Sequence, residues 1–140
     1  MKKLLLLALL TMMGAWLPVH AAETEKEQPA ATEDNYAYYG FEPEIVTNYI
    51  SNRKKLGFVR ISVELMVKNP DDLLEIQHHD PLLRSAIVEI LGNQTEDKVK
   101  SLTGREEIRK ECFDTVNRLL QQETGKELVV NLLFTSYLYD

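Results

Sequence analysis

The chain is short of the residues that most often carry chemistry. It holds one cysteine in 140 residues, Cys112, so it can form no internal disulfide and no thiolate pair for a metal. Its three histidines form no H-E-x-x-H pair, no serine sits in G-x-S-x-G, and no glycine-rich loop is built to cradle phosphate. Basic residues are in deficit, with 16 Lys and Arg against 22 Asp and Glu for a net charge of −6. That balance argues against a nucleic-acid binder, whose affinity comes mainly from neutralising phosphates. No apolar run reaches the ~20 residues of a spanning helix. The longest, residues 4–19, stops short.

What is present begins with an address. Lys2 and Lys3, the apolar residues 4–17, Pro18 and the small-residue pattern Val19-His20-Ala21 resemble a secretory signal peptide cut after Ala21. Kept uncut, residues 1–21 would serve as an N-terminal anchor. Loss of Lys2 and Lys3 leaves 14 basic against 22 acidic side chains, a charge of −8 on the exported chain. Export usually brings disulfides, yet Cys112 stands alone in an apolar stripe, which marks a buried, inert thiol. Residues 22–39, rich in Glu, Thr, Gln, Ala and Pro with no apolar period, read as a flexible linker.

Residues 40–140 carry the folding pattern. The organising stretch is 103–125, where Ile108, Cys112, Val116, Leu119 and Leu120 recur every three or four residues, with Phe113 at the edge. Thr103 and Glu106 have capping-box spacing, and Gly125 supplies the stop. Two alternating segments, 58–67 and 128–139, predict strands for that stripe to cover. In the first, Val59, Ile61, Val63, Leu65 and Val67 alternate with polar residues, as in a half-buried antiparallel strand. In the last, Val130, Leu132, Phe134 and Leu138 fall on one side and Val129, Leu133, Tyr137 and Tyr139 on the other, so both faces are rather apolar. Residues 44–50 predict a further strand, and Arg53-Lys54-Lys55 a solvated turn. Asn69-Pro70 and Asp80-Pro81 each signal a helix start, with Asp80 expected as a cap. A brief helical turn is expected after Thr95. The fold class is α+β, a small and mainly antiparallel sheet with helices packed on one face.

The sequence carries no constellation that marks a reactive site. His78-His79-Asp80 is the one place where ligand types gather, but neighbouring helical residues diverge by ~100° and would not converge on one ion. No catalytic, cofactor or metal residues are expected. Two aromatic groups are candidates for a partner surface instead: Tyr36, Tyr38, Tyr39 and Phe41 ahead of the first strand, and Tyr137 and Tyr139 on the last. The simpler reading of the first group is the lead-in to a strand, because aromatics are common in strands and at their edges.

Five pieces follow in order: Glu42-Pro43-Glu44-Ile45-Val46-Thr47-Asn48; the alternating strand from Val59 to Val67 with Asn69-Pro70-Asp71; a helix closing in a Thr-containing turn, residues 87–95; Gly104-Arg105-Glu106 with Asn117; and Phe134-Thr135-Ser136-Tyr137. In that order they resemble the flagellar basal-body FliL family. The resemblance implies a stomatin-like periplasmic domain without catalytic residues or cofactor. It implies a place at the inner membrane and flagellar basal body, association with the motor's stator units, and assembly into a homo-oligomer or ring. Members usually keep a cytoplasmic tail and spanning helix, whereas this leader looks cleavable, so attachment runs either through the leader or through partners. A generic periplasmic stomatin-like or chaperone-like domain is the alternative.

Overall fold

The structure is a computed structural model, and it describes residues 35–52 and 56–140. The leader and the Arg53-Lys54-Lys55 turn lie outside the described residues. One strand, β3 (Gly57–Val67), pairs with every other strand. β1 (Ala37–Gly40) and β2 (Ile45–Tyr49) lie end to end along one side of it, and β4 (Val129–Tyr139) lies along the other, all antiparallel. The architecture is α+β.

The strict alternation of β3 explains its central place. Val59, Ile61, Val63, Leu65 and Val67 are fully buried against the helices, whereas Phe58, Arg60, Ser62, Glu64 and Met66 face the other way. β1 begins inside the stretch expected to be linker. The linker boundary at 39 therefore moves back, because Ala37 to Gly40 are in register with Val67 to Glu64. The aromatics that precede β2 thus lead into and belong to a strand.

β4 departs from simple alternation. Ser62 faces Ser136 while Val63 faces Phe134, and Met66 faces Asn131 while Val67 faces Val129, so Thr135 and Val130 are each an extra residue. Each bulge swaps the side to which the following residues point. The face turned to the helices is consequently Val129, Leu132, Phe134, Tyr137 and Tyr139, drawn from both of the faces that the alternation predicts.

A 3-10 turn (Pro70–Asp72) leads into α1 (Leu73–His78), followed by α2 (Asp80–Gly92), α3 (Glu96–Lys100) and α4 (Leu102–Thr124). Asn69 caps the turn as expected, its Oδ1 accepting from the Asp71 N–H at 3.0 Å. α4 starts earlier than the Thr103 capping box predicts. Ser101 is the N-cap, its hydroxyl accepting from the Gly104 N–H at 3.0 Å, while Glu106 turns away to pair with Arg109. Gly104 packs so closely on the Lys98 carbonyl that a Cβ there would collide with it. Gly125 ends the helix with φ of 75°, the left-handed conformation glycine adopts without penalty. Between these ends Ile108, Cys112, Val116 and Leu120 are fully buried and Leu119 packs against their rim.

Candidate interaction surface

Among the described residues no three His, Cys, Asp or Glu side chains gather to hold a metal ion. The His78 and His79 rings stand edge to face at 5.0 Å, and His79 Nδ1 is 2.7 Å from the Glu75 carbonyl, so the imidazoles do not converge. Cys112 is enclosed by the core, and burial pushes its thiol up to about 12, which leaves it protonated and inert at neutral pH. Asp80 does not cap α2 with its side chain. Its carboxylate accepts from the Tyr39 hydroxyl at 2.7 Å and from Arg84 Nε at 3.1 Å.

The six aromatic candidates divide by exposure. Tyr39 and Phe41 are held by the fold: their rings meet edge to face at 5.5 Å, Phe41 is buried, and burial together with Asp80 raises the Tyr39 hydroxyl to about 12. Arg84 lies over the Phe41 ring and donates to the carbonyls of Glu42 and Pro43 at 3.0 and 2.7 Å, fastening α2 to the corner between β1 and β2. Tyr137 is likewise engaged, its hydroxyl donating to the Val99 carbonyl at 3.0 Å and its ring lying under Arg105. Burial carries its pKa to about 12. Tyr36, Tyr38 and Tyr139 remain exposed. They are not brought together, since β1 pairs with the Val67 end of β3 and Tyr139 with Val59 at the other.

Further exposed apolar residues lie at the same end of the sheet as Tyr139 but on its opposite face. Val46, Phe58 and Leu138 are 52%, 48% and 58% exposed on or beside the uncovered face of the sheet. With Arg60, Tyr139 and Asp140 they line a depression of about 310 Å³. Val46, Arg60 and Leu138 lie side by side across β2, β3 and β4, which only the strand register reveals. A residue-level signal was present in Phe58, an aromatic at a position whose parity assigns it to the polar face of β3.

A polar cluster closes the same end of the fold. Glu96 accepts from Lys100 at 2.9 Å, from the Asn52 N–H at 3.0 Å and from the Ser51 hydroxyl at 3.2 Å. The Lys100 contact is the largest cause of its lowered pKa, followed by the backbone bond from Asn52. Tyr49 donates to the Asp140 carbonyl, tying β2 to the end of β4. Along the outer edge of β4, α4 supplies the missing ladder partners. Asn117 bonds both the N–H and the carbonyl of Val129, and Arg109 donates to the Leu132 carbonyl at 2.9 Å and to Asn131 Oδ1 at 3.1 Å. No helix of the described residues is long and apolar enough to cross a membrane.

Comparison with known proteins identifies the family. The model of the family described as flagellar basal body-associated protein FliL matches residues 38–139, from the second residue of β1 to the last of β4. The flagellar protein FliL of Aquifex aeolicus is 31% identical over 99 residues, covering 71% of this chain and 58% of that protein. The flagellar protein FliL of Bacillus subtilis is 23% identical over 104 residues, covering 74% and 72%. The chain thus spans under two thirds of the first relative's length. The family match takes in all four strands and the helices between them, and on that ground the chain belongs to the FliL family of flagellar basal-body-associated proteins.

Proposed function

We propose that the protein is a non-enzymatic accessory component of the flagellar basal body that associates with the motor's stator units on the periplasmic side and supports motility. The observation that carries this reading is the family match across residues 38–139. In this reading residues 1–21 export or anchor the chain, the following polar segment spaces the folded unit from the inner membrane, and copies assemble into a homo-oligomer or ring. The partner surface is Tyr36 and Tyr38 with the exposed end of the sheet, Val46, Phe58, Leu138 and Tyr139. Tyr39, Phe41 and Tyr137 serve that surface by positioning β1 and β4. Arg60 and Glu44, 4.0 Å apart on the same face, give it a polar rim suited to a reversible contact.

A periplasm-competent fluorescent fusion tests the assignment in cells with and without stator proteins. A focus at the flagellar base that disappears without stators is the expected result. A focus that persists moves the partner to the basal body itself. Diffuse envelope signal in both strains rejects the flagellar reading and leaves a generic periplasmic interaction domain.

A further inference from the structure

The outer edge of β4 is protected along only part of its length. Backbone groups of a strand point alternately to its two sides, and with the two bulges counted, those of Val129, Leu132 and Phe134 point away from β3. Side chains of α4 meet them there. Asn117 bonds the N–H and carbonyl of Val129, Arg109 donates to the Leu132 carbonyl, and Arg105 approaches the Phe134 carbonyl at 3.5 Å. Past Thr135 the same alternation turns the N–H and carbonyl groups of Tyr137 and Tyr139 outward. Among the described residues no donor or acceptor pairs with them there, and the stretch holds no proline, bulge or inward charge of the kind that blunts an exposed edge.

The side chains around this stretch leave its backbone bare. The Tyr137 and Tyr139 rings turn to the helix side, 6.1 Å apart, with Arg105 and Lys100 over them. Glu96 pairs with Lys100 at 2.9 Å, so that ammonium is already neutralised. Between the two tyrosines Leu138 points to the uncovered face. Asp140 turns its carboxylate to the Phe58 N–H at 2.7 Å, away from the outer edge. An edge of this kind, open in its backbone and uncharged beside it, is a template for another strand.

The strand that fits is the same stretch of a second copy. A two-fold axis at Leu138 sets Tyr137 against the partner's Tyr139 and Tyr139 against the partner's Tyr137, antiparallel. In that register every outward N–H and carbonyl of the two residues is exchanged. Leu138 then meets the partner's Leu138 at a non-hydrogen-bonded position, where facing side chains come closest. Antiparallel pairing also carries the part of each strand that α4 covers, residues 129–134, past the end of the other, so the helix that closes the first part of the edge does not obstruct the second. It places Arg105 of the two copies at opposite ends of the short ladder. We propose that two copies join edge to edge through Tyr137–Tyr139 of β4, making one continuous sheet across the dimer. The contact leaves the uncovered face free and brings the two patches of Val46, Phe58 and Leu138 together on it, a doubled apolar surface for a partner. The proposal rests on the self-assembly included in the proposed function and names its contact.

The test uses the full exported chain carrying Leu138→Cys or, at a position of similar exposure, Val46→Cys, with Cys112 left in the core. The axis brings position 138 of the two copies into contact. Position 46 lies in the same row, so its two copies stand about 24 Å apart, five strand spacings of ~4.8 Å. Under mild oxidation L138C is expected to form a disulfide-linked dimer at least about tenfold faster than V46C. Tyr139→Pro removes an outward N–H and none of the pairing to β3, so it should abolish that advantage and, in sedimentation of the chain without added cysteine, weaken dimerisation at least about tenfold. Leu138→Lys, at an exposed position, makes the same test through like charges at the axis and does not depend on how the strand tolerates proline. Equal linking of L138C and V46C overturns the contact in favour of stacked faces. Self-association that survives Leu138→Lys and gives no faster L138C linkage overturns the contact and leaves self-assembly standing. A strictly monomeric protein rejects both, while the localisation test of the stator reading stands apart.

Discussion

Single side chains here replace the ones that local rules favour. Ser101 rather than Thr103 caps α4, and its loss is expected to cost about 1 kcal/mol, read as a lower melting temperature for Ser101→Ala with Thr103→Ala near neutral. Tyr137 earns its place by a buried-side hydrogen bond. Tyr137→Phe should cost ~1 kcal/mol in a denaturant titration, whereas Tyr139→Phe, with its hydroxyl on the surface, should be silent. Glu96 links pH to stability. Its folded pKa lies below the ordinary carboxylate value, so the unfolded chain takes up its proton first as pH falls. Its contribution is fully present above the unfolded value and is lost as pH drops through the folded one. Melting curves across the acid range should show Glu96→Gln with a shallower acid decline than the parent, and an equal decline in both would remove Glu96 as a contributor.

At the scale of elements, legibility followed periodicity. β3 and α4 could be read because one residue set repeats with an unbroken period, and Gly125 could be read because a left-handed stop favours one residue type. β4 could be placed but its faces could not, because a bulge changes parity without a diagnostic residue: Thr135 and Val130 are ordinary strand formers. β1 was hidden for a related reason. Four residues are too few to show a period, and what holds them is the distant pairing with Glu64 to Val67. Asp80 misled because the cap signal is local, whereas Tyr39 and Arg84 approach it from β1 and from the next helical turn. The bulge makes a direct prediction. Deleting Thr135 leaves Phe134 and Tyr137 on the helix-facing side, while deleting Leu133 turns Phe134 outward. The second deletion should lower the melting temperature clearly more than the first, and equal losses would contradict the register.

For the whole molecule, the division between covered and uncovered sheet faces separates stability from the proposed function. The core lies between β3, β4 and the helices, and Leu132 at its centre is fully buried. Leu132→Ala should therefore cost ~2–5 kcal/mol and reduce motility only by lowering the amount of folded protein. The opposite face contributes little to folding, since substitution of exposed side chains usually changes stability by less than ~0.5 kcal/mol. Phe58→Ser combined with Leu138→Ser should keep the parent melting temperature and cellular level. If that face meets the motor, the same pair should reduce swimming in soft agar and disperse the fluorescent focus from the flagellar base. The covered and uncovered faces thus give opposite signatures, loss of protein with Leu132→Ala and loss of position with the outer pair. A folded outer-face variant that localises and swims like the parent would take the contact away from this end of the sheet and move it to Tyr36 and Tyr38, at the far end of β3.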